Sequence, residues 1–332
     1  MKEILWRPKN IHSTHMMKFM VRVNNVYGLH LNSYNDLHRW SIKNIPEFWK
    51  EIWNRSEIIH SKTFTDIVND LNKIPGAKWF PGSRLNFAEN LLRYRNDDVA
   101  IYAIAENLPL RTITYNELFK QVEAIAHSLK SLGIKKGDRV AGFIPNVPEA
   151  VIAMLATSAI GAIWSSASPD FGVKGALDRF KQIEPKVIFA SNGYFYNGKE
   201  FHFSEKLSSI LNELPSVQKT IIINQINNQK KVRYSFDFIN YNDFLCKTPD
   251  KLYFEQLPFN HPLYIMYSSG TTGLPKAIVH SAGGTLIQQW KELRLHCNLN
   301  KKDTIFYYTT CGWMMWNWLI SSLSIGSSIV LF

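Results

Sequence analysis

From residue 99 onward, apolar positions alternate between strand-like runs and helical spacing. A run at 99–104 reads as a strand, and Thr114 with Glu117 three residues on has the form of a capping box. Leu118, Val122, Ile125, Leu129 and Leu132 then recur at helical spacing, and Gly133 sits where a C-terminal cap belongs. A turn at 135–138 leads into a strand over 140–144; Pro148 and Glu149 open a helix that stops at Gly161, before a strand at 162–165. A helix continues through 178–183, Pro185 ends it, and 186–190 is again strand. Between 194 and 257 the chain turns polar and irregular and reads as a flexible surface excursion, with a strand at 220–223 and its least structured part at 224–231. A strand returns at 263–267. Strands joined by helices of this length must lie mostly parallel, because antiparallel neighbours need no such crossover. The pattern predicts an α/β fold, with mostly parallel sheets flanked by helices.

Residues 1–98 have a different texture: a helical, aromatic-rich N-terminal segment in which Trp40, Phe48, Trp49 and Trp53 share one face of one or two helices. Burial in the core is the plain reading of that stripe. Pro75, Gly76, Pro81 and Gly82 punctuate a loop around Trp79 and Phe80. The remainder, 99–332, is assigned to the α/β domain.

With 332 residues and 45% hydrophobic side chains the chain can bury a substantial core, which excludes disorder for most of its length. The most apolar stretch, 150–167, is broken by Ser158, Gly161, Ser165 and Ser166, so it reads as a buried helix followed by a strand rather than a membrane span. The three cysteines, Cys246, Cys297 and Cys311, form no CxxC pair and suggest neither a disulfide framework nor a zinc site. A reducing, cytoplasmic setting is expected. The net charge of +11 admits nucleic acid, a membrane surface or a polyanionic small molecule as partner. Nucleic acid is disfavoured because the basic residues are scattered and no binding motif appears.

The most informative residues follow the strand at 263–267: Tyr267-Ser268-Ser269-Gly270-Thr271-Thr272-Gly273-Leu274-Pro275-Lys276. Glycines let the backbone approach phosphate oxygens, hydroxyls and N–H groups donate hydrogen bonds, and the lysine adds positive charge. The spacing is not that of a Walker A loop, which places Lys-Ser/Thr directly after its second glycine. On composition alone an ordinary turn remains open.

The whole string closely resembles the phosphate-binding signature of the adenylate-forming (AMP-binding) enzymes, a superfamily of acyl-CoA synthetases, luciferase-like enzymes and peptide-synthetase adenylation domains. That resemblance implies that Ser268, Ser269, Gly270, Thr271, Thr272, Gly273 and Lys276 hold the phosphates of ATP. It also implies catalytic roles for Thr272 and for Lys276, which would help close the loop, and contact of Thr272 with magnesium through ATP.

The flanks narrow the resemblance. Trp79-Phe80-Pro81-Gly82-Ser83-Arg84-Leu85-Asn86-Phe87-Ala88-Glu89-Asn90-Leu91-Leu92 looks like the entry signature of the short-chain branch. Trp164-Ser165-Ser166-Ala167-Ser168-Pro169-Asp170-Phe171-Gly172, Lys276-Ala277-Ile278-Val279-His280 and Cys311-Gly312-Trp313-Met314-Met315-Trp316-Asn317 look like the acetoacetyl-CoA synthetase family, and the likeness runs from about residue 5 to the last. It implies a ligase that joins acetoacetate to coenzyme A at the expense of ATP, with magnesium. The acyl pocket would hold Trp313, Met314 and Met315, with Asn317 on the 3-keto group, although burial in the core is an equally open reading of these residues. Gly172 would approach coenzyme A, but Val173 stands where the acetyl enzymes have a second glycine. His280, just past the loop, is either a structural histidine or a base.

The chain closes on Ser327-Ser328-Ile329-Val330-Leu331-Phe332, an apolar strand expected to present a bare sheet edge. The family comparison implies that the truncated adenylation domain and the absent mobile C-terminal domain leave the isolated chain inactive. The alternatives are another short-chain acyl-CoA synthetase (acetyl or propionyl), or a non-catalytic remnant or split-gene half that pairs with a separately encoded C-terminal half.

Overall fold

The computed structural model describes residues 7–226, 234–268 and 273–332. Three helices open it: α1 (His15–Tyr27), α2 (Tyr34–Lys43) and α3 (Ile45–Ser56). Trp40 and Trp53 are buried, with Phe48 and Trp49 partly buried against the same core. Trp53 stacks on Phe80 at 4.8 Å between ring centroids, so the aromatic stripe of the helices is joined to the Trp79–Phe80 loop. A short helix, α4 (Phe87–Leu91), follows with Asn86 capping its first turn.

Two main sheets organise the rest. The smaller contains β1 (Val99–Ala103) and β2 (Arg111–Thr114). The larger begins with β3 (Arg139–Phe143), β4 (Ile163–Ala167), β5 (Val187–Ser191), β6 (Lys219–Ile223) and β7 (Phe238–Asn240). Its last two strands are β8 (Pro262–Ser268) and β9 (Lys276–Ser281), while β10 (Thr304–Phe306) and β11 (Ser328–Leu331) complete the smaller sheet. The larger runs β7-β6-β5-β3-β4-β8-β9, parallel throughout except for the antiparallel pair β8–β9; the smaller runs β10-β11-β1-β2. The helices between them are α5 (Tyr115–Ser131), α6 (Pro148–Ala159), α7 (Val173–Phe180), α8 (Ser204–Asn212), α9 (Tyr241–Phe244), α10 (Ala282–Lys291) and α11 (Met314–Ser321).

The capping box forms as the spacing predicts: Glu117 N–H donates to the Thr114 hydroxyl, and the Glu117 carboxylate accepts from Thr114 N–H at 2.8 Å. Gly133 closes α5 at φ 80°, a left-handed conformation that glycine adopts without steric cost. Every residue of α6 is buried, which explains why the apolar stretch shows no amphipathic face.

Three expectations need correction. The helix expected at 178–183 is α7, which starts at Val173 and ends at Phe180, because Glu184 takes a left-handed φ of 48° and returns its N–H to the Phe180 carbonyl. The stretch 194–257 is no loose excursion among the described residues: it carries the hairpin Gly193–Tyr196/Lys199–His202 and α8, whose Leu207 and Ile210 are fully buried. Their spacing of three puts both on one helix face against the larger sheet. Residues 227–231, within the expected least regular part, lie outside the described residues.

The strand at the end of the sequence is not a bare edge either. β11 lies inside its sheet, paired in parallel with β10 on one side and β1 on the other, and Ile329 and Leu331 are fully buried. Among the described residues no helix is long and apolar enough to cross a membrane.

Burial depresses the pKa of His15, His261, His280 and His296 below the ordinary 6.5, so each stays neutral in the fold to a lower pH than in the unfolded chain. Between 6.5 and those lowered values the unfolded chain holds more protons, and stability falls as pH drops through that window. We expect a lower urea midpoint at about pH 5.5 than at about pH 7.5; an equal or higher one at the acid end contradicts the assignment.

Candidate functional site

Because β3, β4, β5 and β8 are parallel, the segments that follow them emerge from one edge of the sheet. Strand β4 pairs with β8 through Trp164 opposite Tyr264 and Ser165 opposite Ile265. The segment Ser168–Gly172 and the Ser/Thr/Gly loop after Ser268 therefore arise side by side, where open α/β sheets place ligands.

Of the loop itself, Ser268, Gly273 and Lys276 are described; Ser269, Gly270, Thr271 and Thr272 lie outside the described residues. The loop spans a hairpin: β8 and β9 are antiparallel, and Ser268 stands directly opposite Lys276 at its mouth. Gly273 has φ 95°, where a side chain would be strained, and it and Lys276 are exposed. The mouth is held from α7 and the turn after it. The Gln182 side-chain amide donates to the Pro275 carbonyl at 2.9 Å, and the Tyr267 hydroxyl donates to the Arg179 carbonyl at 2.9 Å. The Arg179 guanidinium lies 4.0 Å above the Phe171 ring and 5.7 Å from that of Tyr267. Burial pushes the Tyr267 hydroxyl up to about 12, so it remains a neutral donor. Gln182 and Arg179 had no role on sequence grounds, since a side chain that braces a loop from a distant helix leaves no local pattern.

Beside this edge, a cavity of about 870 Å3 opens between the segments after β3, β4 and β5, and Pro145, Asn146, Ser168 and Asp170 line it. Asp170 is fixed at both oxygens: the Tyr194 hydroxyl donates to one at 2.6 Å and the Ser168 hydroxyl to the other at 2.6 Å. Gly172 begins α7 as its N-cap, exposed, with nothing within 4 Å of where a Cβ would stand. An open helix N-terminus suits an anionic group, and a side chain would be accommodated there. Gly172 is not among the residues lining the cavity.

A second cavity, about 620 Å3, lies between β9, α10 and α11. Met314 and Met315 line it together with His280, Tyr264, Thr285 and Gln289. Trp313 and Asn317 do not. Trp313 is 63% exposed, whereas Asn317 is buried behind the methionines with its amide nitrogen 3.6 Å from the Met266 sulfur and its Oδ1 unpartnered. A polar set underlies the methionines. The Gln289 amide donates to the Tyr264 hydroxyl at 3.3 Å and the Ser321 hydroxyl donates to the Gln289 carbonyl oxygen, fixing α11 against α10. Burial lowers the pKa of His280, whose ring lies 5.2 Å from that of Tyr264; a neutral imidazole in the cavity wall follows.

Among the described residues no group of three or more His, Cys, Asp or Glu could hold a metal ion. The magnesium expectation rests on Thr272, outside the described residues.

A family profile described as "AMP-binding enzyme" matches residues 87–332, and one described as "Acetyl-coenzyme A synthetase N-terminus" matches 34–91. The chain is 47% identical to a protein named acetoacetyl-CoA synthetase from Gallus gallus, over 99% of this chain and 51% of that one. It is equally identical to its namesake from Mus musculus, over 99% of this chain and 50% of that one. The solved structure titled acetoacetyl-CoA synthetase from Streptomyces lividans superposes with a TM-score of 0.93 at 40% identity, covering 99% of this chain and 51% of that chain. The chain thus spans about half the length of the curated relatives it matches. With the hairpin loop, the parallel sheet beneath it and the profile match over 87–332 all in agreement, the chain belongs to the AMP-binding enzyme family.

Proposed function

We propose that these residues form the ATP-phosphate and acyl-binding part of an acetoacetate–CoA ligase. The observation that carries this reading is the placement of the hairpin loop and the methionine-walled cavity on opposite ends of one short strand: β9 starts at Lys276 and ends at His280 and Ser281, which line that cavity. The identity to acetoacetyl-CoA synthetases supports the choice of acyl group.

The reaction has two displacements. The carboxylate of acetoacetate attacks the α-phosphorus of ATP and pyrophosphate leaves; the thiolate of coenzyme A then attacks the acyl carbonyl and AMP leaves. Both ask the protein mainly for positioning and for charge at the phosphates. Lys276 supplies that charge, Gly273 allows the chain to turn close to the phosphates, and Ser268 offers a hydroxyl at the loop base, with Ser269, Gly270, Thr271 and Thr272 completing the loop. Met314 and Met315 shape the wall for a short acyl chain, Trp313, exposed beside them at the N-cap of α11, is assigned to the same pocket by the family resemblance, and Asn317 lies buried behind them. Gly172, exposed at the N-cap of α7, is assigned to the coenzyme A approach by the family resemblance. Magnesium would arrive with ATP, and no step here depends on a described metal ligand. The three unpaired cysteines fit a reducing, cytoplasmic setting.

The test is ATP–pyrophosphate exchange in the full polypeptide that carries these residues, or in these residues joined by a separately encoded C-terminal half. Acetoacetate should support exchange better than acetate or propionate; the reverse order would make the protein another short-chain ligase. The 332 residues alone are expected to yield no acetoacetyl-CoA, because the relatives use about as much chain again. Thioester formed by the purified 332-residue chain would refute that division of labour.

A further inference from the structure

Away from both cavities, five cations line a third, of about 400 Å3: Arg22 of α1, Arg55 near the end of α3, Arg93 beyond α4, Arg294 in the π-helical turn Glu292–His296, and Lys301. Glu57 is the one carboxylate in its wall. Most of these cations have internal partners. Arg22 meets Glu51 at 2.5 Å, Arg93 donates to the Glu57 carbonyl at 2.6 Å, Arg294 donates to the Leu299 carbonyl and Asn300 Oδ1, and Lys301 sits 4.6 Å above the Tyr94 ring. Arg55 is the exception: among the described residues it makes no hydrogen bond or ion pair. Burial and the neighbouring Arg22 lower its pKa against the smaller opposing pull of Glu57, so its charge is held there at a cost.

With five cations against the single carboxylate of Glu57 the wall is short of counter-charge, and guanidinium groups bind phosphate oxygens in a planar, two-pronged geometry. We propose that this cavity is a second anion site, separate from the hairpin loop, which binds a phosphate-class anion of the size of phosphate or pyrophosphate with Arg55 as its principal ligand. The site stands independently of the proposed reaction. Arg22, Arg93 and Arg294 are anchored by the protein and present the fixed part of the cradle, while the unpartnered Arg55 is free to close on the anion.

Arg55→Gln separates this site from the loop. Because Arg55 has no hydrogen-bonded or ion-paired partner to lose, and its repulsion from Arg22 outweighs its attraction to Glu57, the variant should fold and melt no lower than wild type in phosphate-free buffer. Inorganic pyrophosphate at millimolar concentration, without divalent cations, should raise the Tm of the wild type, and calorimetry should show binding about tenfold weaker in Arg55→Gln. AMP run in parallel distinguishes a free anion from the phosphate of a nucleotide: an Arg55-dependent gain with AMP assigns the site to organic phosphates as well. No Tm gain with pyrophosphate in wild type overturns the proposal. So does an equal gain in Arg55→Gln, which would place the anion on the hairpin loop.

Discussion

Lys276→Ala is expected to lower acetoacetate-dependent ATP–pyrophosphate exchange by about a hundredfold or more, with the thermal melt unchanged. The two halves of that expectation have separate reasons. Lys276 is exposed at the start of β9, and its amine makes no hydrogen bond or ion pair among the described residues, so alanine removes nothing that holds the fold. What alanine removes is a positive charge at the mouth of the loop, opposite Ser268, where the proposed reaction would accumulate negative charge on the departing pyrophosphate. Lys276→Arg keeps the charge and should retain more activity than alanine. Thr272→Val should also lose exchange, since a hydroxyl donor is replaced by an isosteric methyl. Exchange within a few-fold of wild type in Lys276→Ala would remove this lysine from the chemistry and leave the loop as a plain turn.

The second large effect is on stability. Trp164→Ala should cost about 3–5 kcal/mol, read as a fall in the urea midpoint at constant slope. Trp164 lies on β4, between β3 and β8, and is 1% exposed. Its indole fills the space above Gly142 of β3, where a Cβ would come within 2.8 Å of the ring. Its N–H donates to the Ser166 hydroxyl at 3.2 Å, which donates in turn to the Cys311 carbonyl at 2.6 Å. The truncation therefore opens a large cavity at the sheet centre and loosens the segment that leads to Met314 and Met315. Trp313→Ala, by contrast, removes a side chain that is 63% exposed and should change stability by no more than about 0.5 kcal/mol while raising KM for the acyl substrate. If both variants cost the same, Trp313 belongs to the core and not to the acyl site.

Much of the architecture was legible because its signals are local. The Thr114–Glu117 capping box, the apolar spacing of α5, Gly133 beyond it and Pro148 opening α6 each depend on residues within a turn or two of one another. The mostly parallel direction of the strands followed from the length of the crossovers, while their order did not. The order within 194–257 is not legible in sequence because α8 is mostly polar, with Leu207 and Ile210 buried and Leu211 partly buried against the core, and the hairpin before it has no apolar alternation. The start of α7 was missed because Gly175 weakens the local helical preference, and the helix is held by burying Ala176, Leu177 and Phe180.

The sequence by itself determined the alternation of strands and helices and the family, and it singled out the Ser/Thr/Gly loop as the candidate phosphate site, since a contiguous string carries all of that information. It could not place the final strand. An apolar terminus reads as an unfinished edge, but β11 is inserted between β10 and β1, and β1 is more than two hundred residues away in the chain. Nor could it separate the methionines from their neighbours: Met314 and Met315 face the cavity while Trp313 turns to solvent and Asn317 inward, because one short helix presents successive residues in different directions. The gathering of Arg22, Arg55, Arg93, Arg294 and Lys301 likewise needed the fold. Scattered along the sequence they are part of an unremarkable +11, and only the packing of α1 and α3 onto the turn after α10 brings them to one cavity.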